Sequence, residues 1–182
     1  MGSEVKGIWF LVARDEIDSR WGAEAYARLA ASVPARYRSA LTEPLASTWY
    51  PEEALQCALE AMREDLVSAE GPYRELLFAC TQRGMGRFFR AMMRITTPHF
   101  VLRQVPTMWR HIRRDRAQIE VALGEDTSRV TYSRFPYFDD PNYRVLVEAS
   151  LSALVQPTVG HEVPVRVEDF GDDWLRVAIT HG

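Results

Sequence analysis

Four histidines (His99, His111, His161 and His181), two cysteines (Cys57 and Cys80) and two acidic pairs (Asp139/Asp140 and Asp172/Asp173) are the side chains that could bind a metal or move a proton. Their spacing favours neither chemistry. No two histidines form an HxxxH or HExxH pair, and no CxxC occurs, so zinc sites of those kinds lack their ligands. No GxSxG, P-loop or GxGxxG is present, and the "GMG" at 84–86 lacks both a preceding strand and a third glycine. The acidic pairs stand where turns and helix caps are expected. These residues imply no catalytic group and no metal, and the chain is read as a non-enzyme.

The stretch "RGMGRFFRAMMRITTPHFVLRQVPTMWRHIRR", from Arg83 to Arg114, is the most unusual part of the sequence. From Arg83 to Arg116 there are nine arginines against Asp115, a balance of +8 in a chain of net charge −3. At helical spacing Arg83, Arg87, Arg90 and Arg94 fall within about 60° of arc. Met85, Phe88, Phe89, Met92 and Ile95 fall on the opposite side. A second helix, capped by Thr97 and started by Pro98, places Val101, Leu102, Val105, Met108, Trp109 and Ile112 on one face. On it Arg103, Arg110, Arg113 and Arg114 point away, and Pro106 should kink it or restart it. The four arginines of the first helix form a candidate partner-binding edge.

The bulk properties bound these readings. The chain has 182 residues, 47% hydrophobic and 26% charged, which suits one compact domain over 1–182. A sequence pI near 5.8 argues against a dedicated nucleic-acid binder. Lys6 is the sole lysine, a bias of the kind a GC-rich genome produces. Two cysteines in apolar helical patterns read as reduced core thiols. The start "MGSEVKGIWF" has no secretory pattern, and no apolar run approaches the ~20 residues of a membrane span. The expected location is the bacterial cytoplasm.

The elements that must position these residues are legible from periodicity. "VKGIWFLVAR" is apolar on both faces and fits strand or helix. "DEIDSRWGAEAYARLAASVP" reads as helical, with Gly22 a break and Pro34 an end. "STWYPEEALQCALEAMREDLV" gives a helix with Pro51 in first position and Leu55, Ala58, Leu59, Met62 and Leu66 inward. "EGPYRELLFACTQRG" restarts at Pro72. "QIEVAL", "GEDTS" and "RVTYSRF" form a hairpin, Asp140 and Pro141 cap a helix through "NYRVLVEASLSALV", and "VPVRVEDFGDDWLRVAIT" forms a second hairpin turning near Gly171. The prediction is an α+β domain: a helical N-terminal two-thirds packed on a small antiparallel sheet, with a C-terminal hairpin–helix–hairpin. Phe88, Met92, Met108, Trp109, Tyr132, Phe135 and Tyr137 come from two helices and a hairpin expected to be neighbours. They are the candidate lining of an apolar ligand pocket.

"VKGIWFLVARDEIDSRWGAEAYARL", "STWYP", "TTPHFVLRQVPTMW" and the glycine-turned C-terminal hairpin resemble a family of small proteins expanded in myxobacteria. The resemblance spans most of the chain and rests on Gly, Pro and aromatic positions, so it implies a fold rather than an activity. More distantly the plan is similar to the 4-vinyl reductase domain, the TRAPP-type subunits and the haem nitric oxide/oxygen-binding domain. That resemblance implies helices on a small antiparallel sheet, holding a hydrophobic small molecule or a partner subunit. The haem-binding relatives use a proximal histidine in a helix and a Tyr-x-Ser-x-Arg motif. Here Tyr132, Ser133 and Arg134 are adjacent, and side chains alternate faces along a strand. His111 is the one candidate for a proximal residue. The C-terminal metal-binding cysteines of the 4-vinyl reductase type are missing from "RVEDFGDDWLRVAIT". The expectation is therefore no cofactor and no metal. The chain is read as a non-catalytic sensor or adaptor that takes a small apolar ligand and signals through protein contacts. The alternative is a pure interaction module, homodimeric or partner-binding, with no ligand.

Overall fold

The computed structural model describes residues 2–182, with residues 87–90 described in backbone alone. The expected side-chain roles of Arg87, Phe88 and Arg90 thus lie outside the described residues. Strand β1 (Glu4–Lys6) turns at Gly7 into helix α1 (Ile8–Trp21), so the ambiguous opening segment is both strand and helix. Gly7 makes this possible. Its N–H donates to the Thr48 carbonyl at 2.8 Å, and a Cβ there would lie 2.2 Å from the Leu45 carbonyl oxygen. Gly22, at φ 83, ends α1 and starts α2 (Ala23–Ser32). A short helix α3 (Ser39–Thr42) follows.

Strand β2 (Trp49–Pro51) leads into α4 (Glu52–Ala61), which ends in a π-helical turn over Met62–Leu66. Pro51 was expected as the first helical residue. It is instead extended, at φ −53 and ψ 139, closing β2 and capping the helix. Leu55, Ala58, Leu59 and Met62 are buried as the periodicity requires, and Leu66 is half-buried. Helix α5 (Glu70–Gly84) begins two residues ahead of Pro72.

The helix expected to run on from Arg83 to Arg94 is broken. Gly86 adopts φ 65, and α6 (Gly86–Met93) starts afresh. Ile95 lies beyond its last turn and is 86% exposed, while Met93, not Met92, is buried. The left-handed residue resets the helical phase, so the inward edge computed across it does not hold. Helix α7 (Pro98–Ile112) is capped by Thr97 Oγ1, which accepts from the Phe100 N–H at 3.2 Å. It continues through Pro106.

Two antiparallel sheets complete the chain. β2, β1 and β3 (Arg113–Arg114) form one, with β1 in the centre; Val5 sits opposite Tyr50 on one side and Arg113 on the other. The second has the order β4 (Gln118–Ala122), β5 (Thr127–Ser133), β7 (Trp174–Thr180), β6 (Val165–Gly171). Between its hairpins runs α8 (Pro141–Val159), capped by Asp140 and ended by Gly160 at φ 77. This is the predicted α+β plan. The three-stranded sheet was not foreseen.

Helix α8 is the common support. Gln82 of α5 donates to its Ala153 carbonyl at 3.0 Å, and Arg74 of α5 pairs with its Glu148 at 2.6 Å. Glu148 also accepts from the Val167 N–H of β6 at 2.8 Å, tying helix to sheet. On α1, burial by itself would raise the Glu16 carboxyl. Hydrogen bonds from Arg20 and Arg83 outweigh that burial and hold the carboxyl below its ordinary value.

Gly7→Ala should lower stability by about 1–3 kcal/mol, because its Cβ would press on fixed backbone. Gly84→Ala, in α5 where a Cβ would meet Val12 at an ordinary 3.8 Å, should leave stability equal or higher. Urea melts of the two variants check the contrast.

Candidate functional site: an apolar cavity

Helices α1, α5, α6, α7 and α8 and strands β3 and β5 line a half-open cavity of about 680 Å³. That volume lies within the range of small-molecule sites. Its walls are mostly hydrocarbon, thioether and aromatic. Ile8, Trp9 and Val12 come from α1; Leu146, Leu151 and Leu154 from α8; Met108, Trp109 and Ile112 from α7. Met92 and Phe100 line it and are also partly open to solvent, at 43% and 52% exposure.

Few polar groups reach the wall. Thr81 Oγ1 sits 3.1 Å from Ser150 Oγ and donates to the Leu77 carbonyl, so this pair is satisfied internally. Burial pushes the Cys80 thiol up to about 12, which keeps it neutral and unreactive. His111, on the last turn of α7, is exposed and places Nδ1 2.8 Å from the Thr107 carbonyl. Tyr132 is buried, and burial raises its hydroxyl well above the ordinary tyrosine range.

Among the described residues, Arg113 is the arginine on the wall. It was expected to point outward with Arg103, Arg110 and Arg114. Those three are exposed, but Arg113 is 6% exposed. The reason is that α7 ends at Ile112 and Arg113 belongs to β3, so helical phase no longer sets its direction. Its Nε donates to Glu52 Oε1 at 3.0 Å, and its guanidinium lies 4.2 Å from the centre of the Trp109 ring. Glu52 is fully buried. The Tyr143 hydroxyl lies 3.1 Å from both its Oε1 and its backbone carbonyl, while Oε2 has no partner. Burial raises the Glu52 carboxyl above its ordinary value and outweighs the attraction of Arg113.

The candidate lining residues divide. Met92, Met108, Trp109 and Tyr132 reach the cavity. Phe135 and Tyr137 do not: they stand behind it in an aromatic cluster. In that cluster Phe135 packs 5.1 Å from Trp109, and Tyr137 stacks on Tyr143 at 5.4 Å. Of the candidate partner edge, Arg83 and Arg94 are exposed, and Arg83 is bonded to Glu16 at 2.8 Å. Glu52, Tyr143 and the α1 and α8 walls were not anticipated. Glu52 reads in sequence as an ordinary first-turn acid, and only its position after a strand could have marked it as inward.

His99 and His181 also meet, at 5.2 Å between ring centres, with His181 bonded to Ser128 at 2.8 Å. No cluster of three or more His, Cys, Asp or Glu side chains suits a metal among the described residues.

No protein-family model matches the chain, and no curated protein matches it. Solved structures do. An Fe(II) unliganded H-NOX protein from K. algicida superposes with a TM-score of 0.70 at 9% identity, covering 97% of this chain and 96% of that one. A mutant H-NOX protein from S. oneidensis in the Fe(II) ligation state gives 0.66 at 15% identity, covering 97% and 96%. An H-NOX protein from S. oneidensis in the Fe(II)NO state gives 0.61 at 16% identity, covering 97% and 99%. The fold is therefore that of H-NOX proteins.

That fold raises the question of haem. The described walls do not fit it. A haem carries two carboxylates, and the one described arginine on the wall is already paired with Glu52. Arg134 is exposed at φ 62 where β5 ends, and neither it nor Ser133 lines the cavity. Of the side chains on the described wall that could hold haem iron, the histidine, His111, is exposed at the rim, burial keeps the Cys80 thiol and the Tyr132 hydroxyl protonated, and Met85, Met92 and Met108 have no described histidine inside the cavity to act with.

Besides burial, Arg113, Tyr143 and Asp115 are the groups acting on Glu52. With its folded value above the ordinary 4.5, the folded chain keeps this proton to higher pH than the unfolded chain. The contribution is full below the unfolded value and is lost as pH rises through the folded one. Urea stability of the parent minus that of Glu52→Gln should therefore fall as pH is raised above 4.5. A flat difference would place Glu52 at its ordinary value.

Proposed function

We propose that the chain is a non-catalytic bacterial sensor or adaptor domain that takes a small apolar ligand in this cavity and signals through protein contacts. The cavity carries the reading: about 680 Å³ inside an H-NOX-like fold, walled by flexible thioethers and aromatic rings. Such a wall encloses an apolar guest without stranding polar groups. On this reading the ligand is not haem: the described walls offer one arginine, which could meet one carboxylate and not two.

Native mass spectrometry of the purified protein should detect a retained apolar molecule or uptake of one when it is offered. Met108→Trp, which projects into the cavity, should leave the melting temperature equal or higher and block that uptake. A solid core at this place would instead lose about 1–3 kcal/mol. Haem added to the protein should give no sharp Soret band that depends on His111. A stoichiometric band abolished by His111→Ala would overturn the non-haem reading.

One observation favours a second reading, self-association without a ligand. Ile95, Phe100 and Met92 are exposed around the α6–α7 corner, where Arg94 is exposed as well. Exposed apolar clusters of this kind mark interaction surfaces. On this reading light scattering should report a dimer that the pair Ile95→Glu and Phe100→Glu converts to monomer with the fold intact.

A further inference from the structure

Arg113 is an expensive residue to place on the wall of an apolar cavity. Its side chain is 5% exposed, and its charge is balanced by one oxygen of Glu52. A guanidinium has five N–H donors in a flat fork. Only Nε has a hydrogen-bond partner among the described residues. The two Nη nitrogens are not among the described atoms that are both sealed and unpartnered, which are Asp18 Oδ1 and Glu52 Oε2. They therefore keep some accessible surface on a residue that lines the cavity. The Trp109 ring beneath, 4.2 Å away, and the Glu52 contact fix the plane of the fork. A planar fork held in place, with no partner for its outer donors among the described residues, is suited to a planar acceptor with two oxygens.

The geometry points to a carboxylate-bearing amphiphile, a fatty acid or similar monoacid, as the ligand class: its carboxylate on the Nη donors of Arg113, its hydrocarbon among Val12, Met108, Leu151 and Leu154. The assignment rests on the cavity reading above and adds the head group to it. A monoanion suits the site better than a phosphate, which brings more charge into the same low-dielectric wall. Glu52 sets the affinity. It competes for the same guanidinium, and as its proton is taken up Arg113 is released to the incoming carboxylate. The free Oε2 leaves a place for that proton.

The test compares dodecanoate with methyl dodecanoate, which have the same chain with and without the charge. Binding to the full chain is read by calorimetry, with quenching of the wall tryptophans Trp9 and Trp109 as a second readout. Dodecanoate should bind roughly tenfold to a hundredfold more tightly than the ester, the range a charge-assisted hydrogen bond supports. Glu52→Gln should tighten dodecanoate binding and leave the ester unchanged. Arg113→Gln alone strands a buried carboxylate, so the arginine is tested as Glu52→Gln with Arg113→Gln, which should bind both probes equally. Equal affinity in the parent protein overturns the head-group assignment and leaves the apolar cavity standing. So does a carboxylate preference that survives the double variant. Failure of both probes to bind overturns the cavity reading itself.

Discussion

Glu52 and Arg113 lie far apart in the chain and meet at the point where the helices and the smaller sheet converge. Glu52 follows β2 directly, and Arg113 opens β3; these strands flank β1 on its two sides. Their ion pair therefore closes the three-stranded sheet across its central strand. The Tyr143 hydroxyl brings α8 to the same carboxylate, and Trp109 brings α7 to the same guanidinium. Removing one partner of such a buried pair typically costs about 3–5 kcal/mol, while replacing both by hydrocarbon is often neutral. A packed apolar pair could thus have joined these elements as firmly. The pair adds what hydrocarbon cannot, a charged group held in a fixed plane at a cavity wall.

The cavity persists because its two sides differ in stiffness. Behind Trp109 and Tyr132 stand Phe135, Phe138 and Tyr143, with ring centres 5.1 to 5.7 Å apart along the cluster. Interlocked rings have few rotamers and cannot shift to fill space. Met85, Met92 and Met108 line the cavity elsewhere and can adapt to a guest. Voids cost most where the surroundings cannot relax. A wall of fixed rings on one side and thioethers on the other leaves a volume that the neighbouring side chains do not close.

Much of the fold was legible in the sequence, and the reasons are local. Thr97–Pro98 and Asp140–Pro141 cap their helices as their residue types require, and the β4–β5 hairpin and strand β7 follow period-two alternation, while β6 breaks it at a register shift between Val167 and Asp169. Gly22 marks a helix break by its type alone. Three features were hidden. The short strands β1, β2 and β3 carry too few residues for alternation to show. Gly86 resets the helical phase, which turned Ile95 outward against its expected place. Arg113 sits one residue past the end of α7, so a helical projection sent it to solvent. In the site, Met92, Met108, Trp109 and Tyr132 were within reach of pattern reasoning because apolar side chains at helical spacing converge. Glu52 and Arg113 were not, because a long-range ion pair leaves no periodic trace.

A shared fold fixes where a cavity can form and leaves open what it holds. This chain shares its backbone plan with H-NOX proteins at 9 to 16% identity, so most of its side chains differ from theirs. Charge then decides between guests of similar bulk. An anion enters an apolar cavity only when a cation already there replaces its lost hydration. The described wall offers one guanidinium, half engaged by a carboxylate whose proton affinity is raised by burial. On the proposed reading one carboxylate can share that fork, either by displacing Glu52 or by entering as the neutral acid and leaving its proton on Glu52. A second carboxylate on the same guest would find no described partner, whatever the fit of its hydrocarbon. On the proposed reading, the selectivity of the cavity rests on the number of charges a guest carries as much as on its shape.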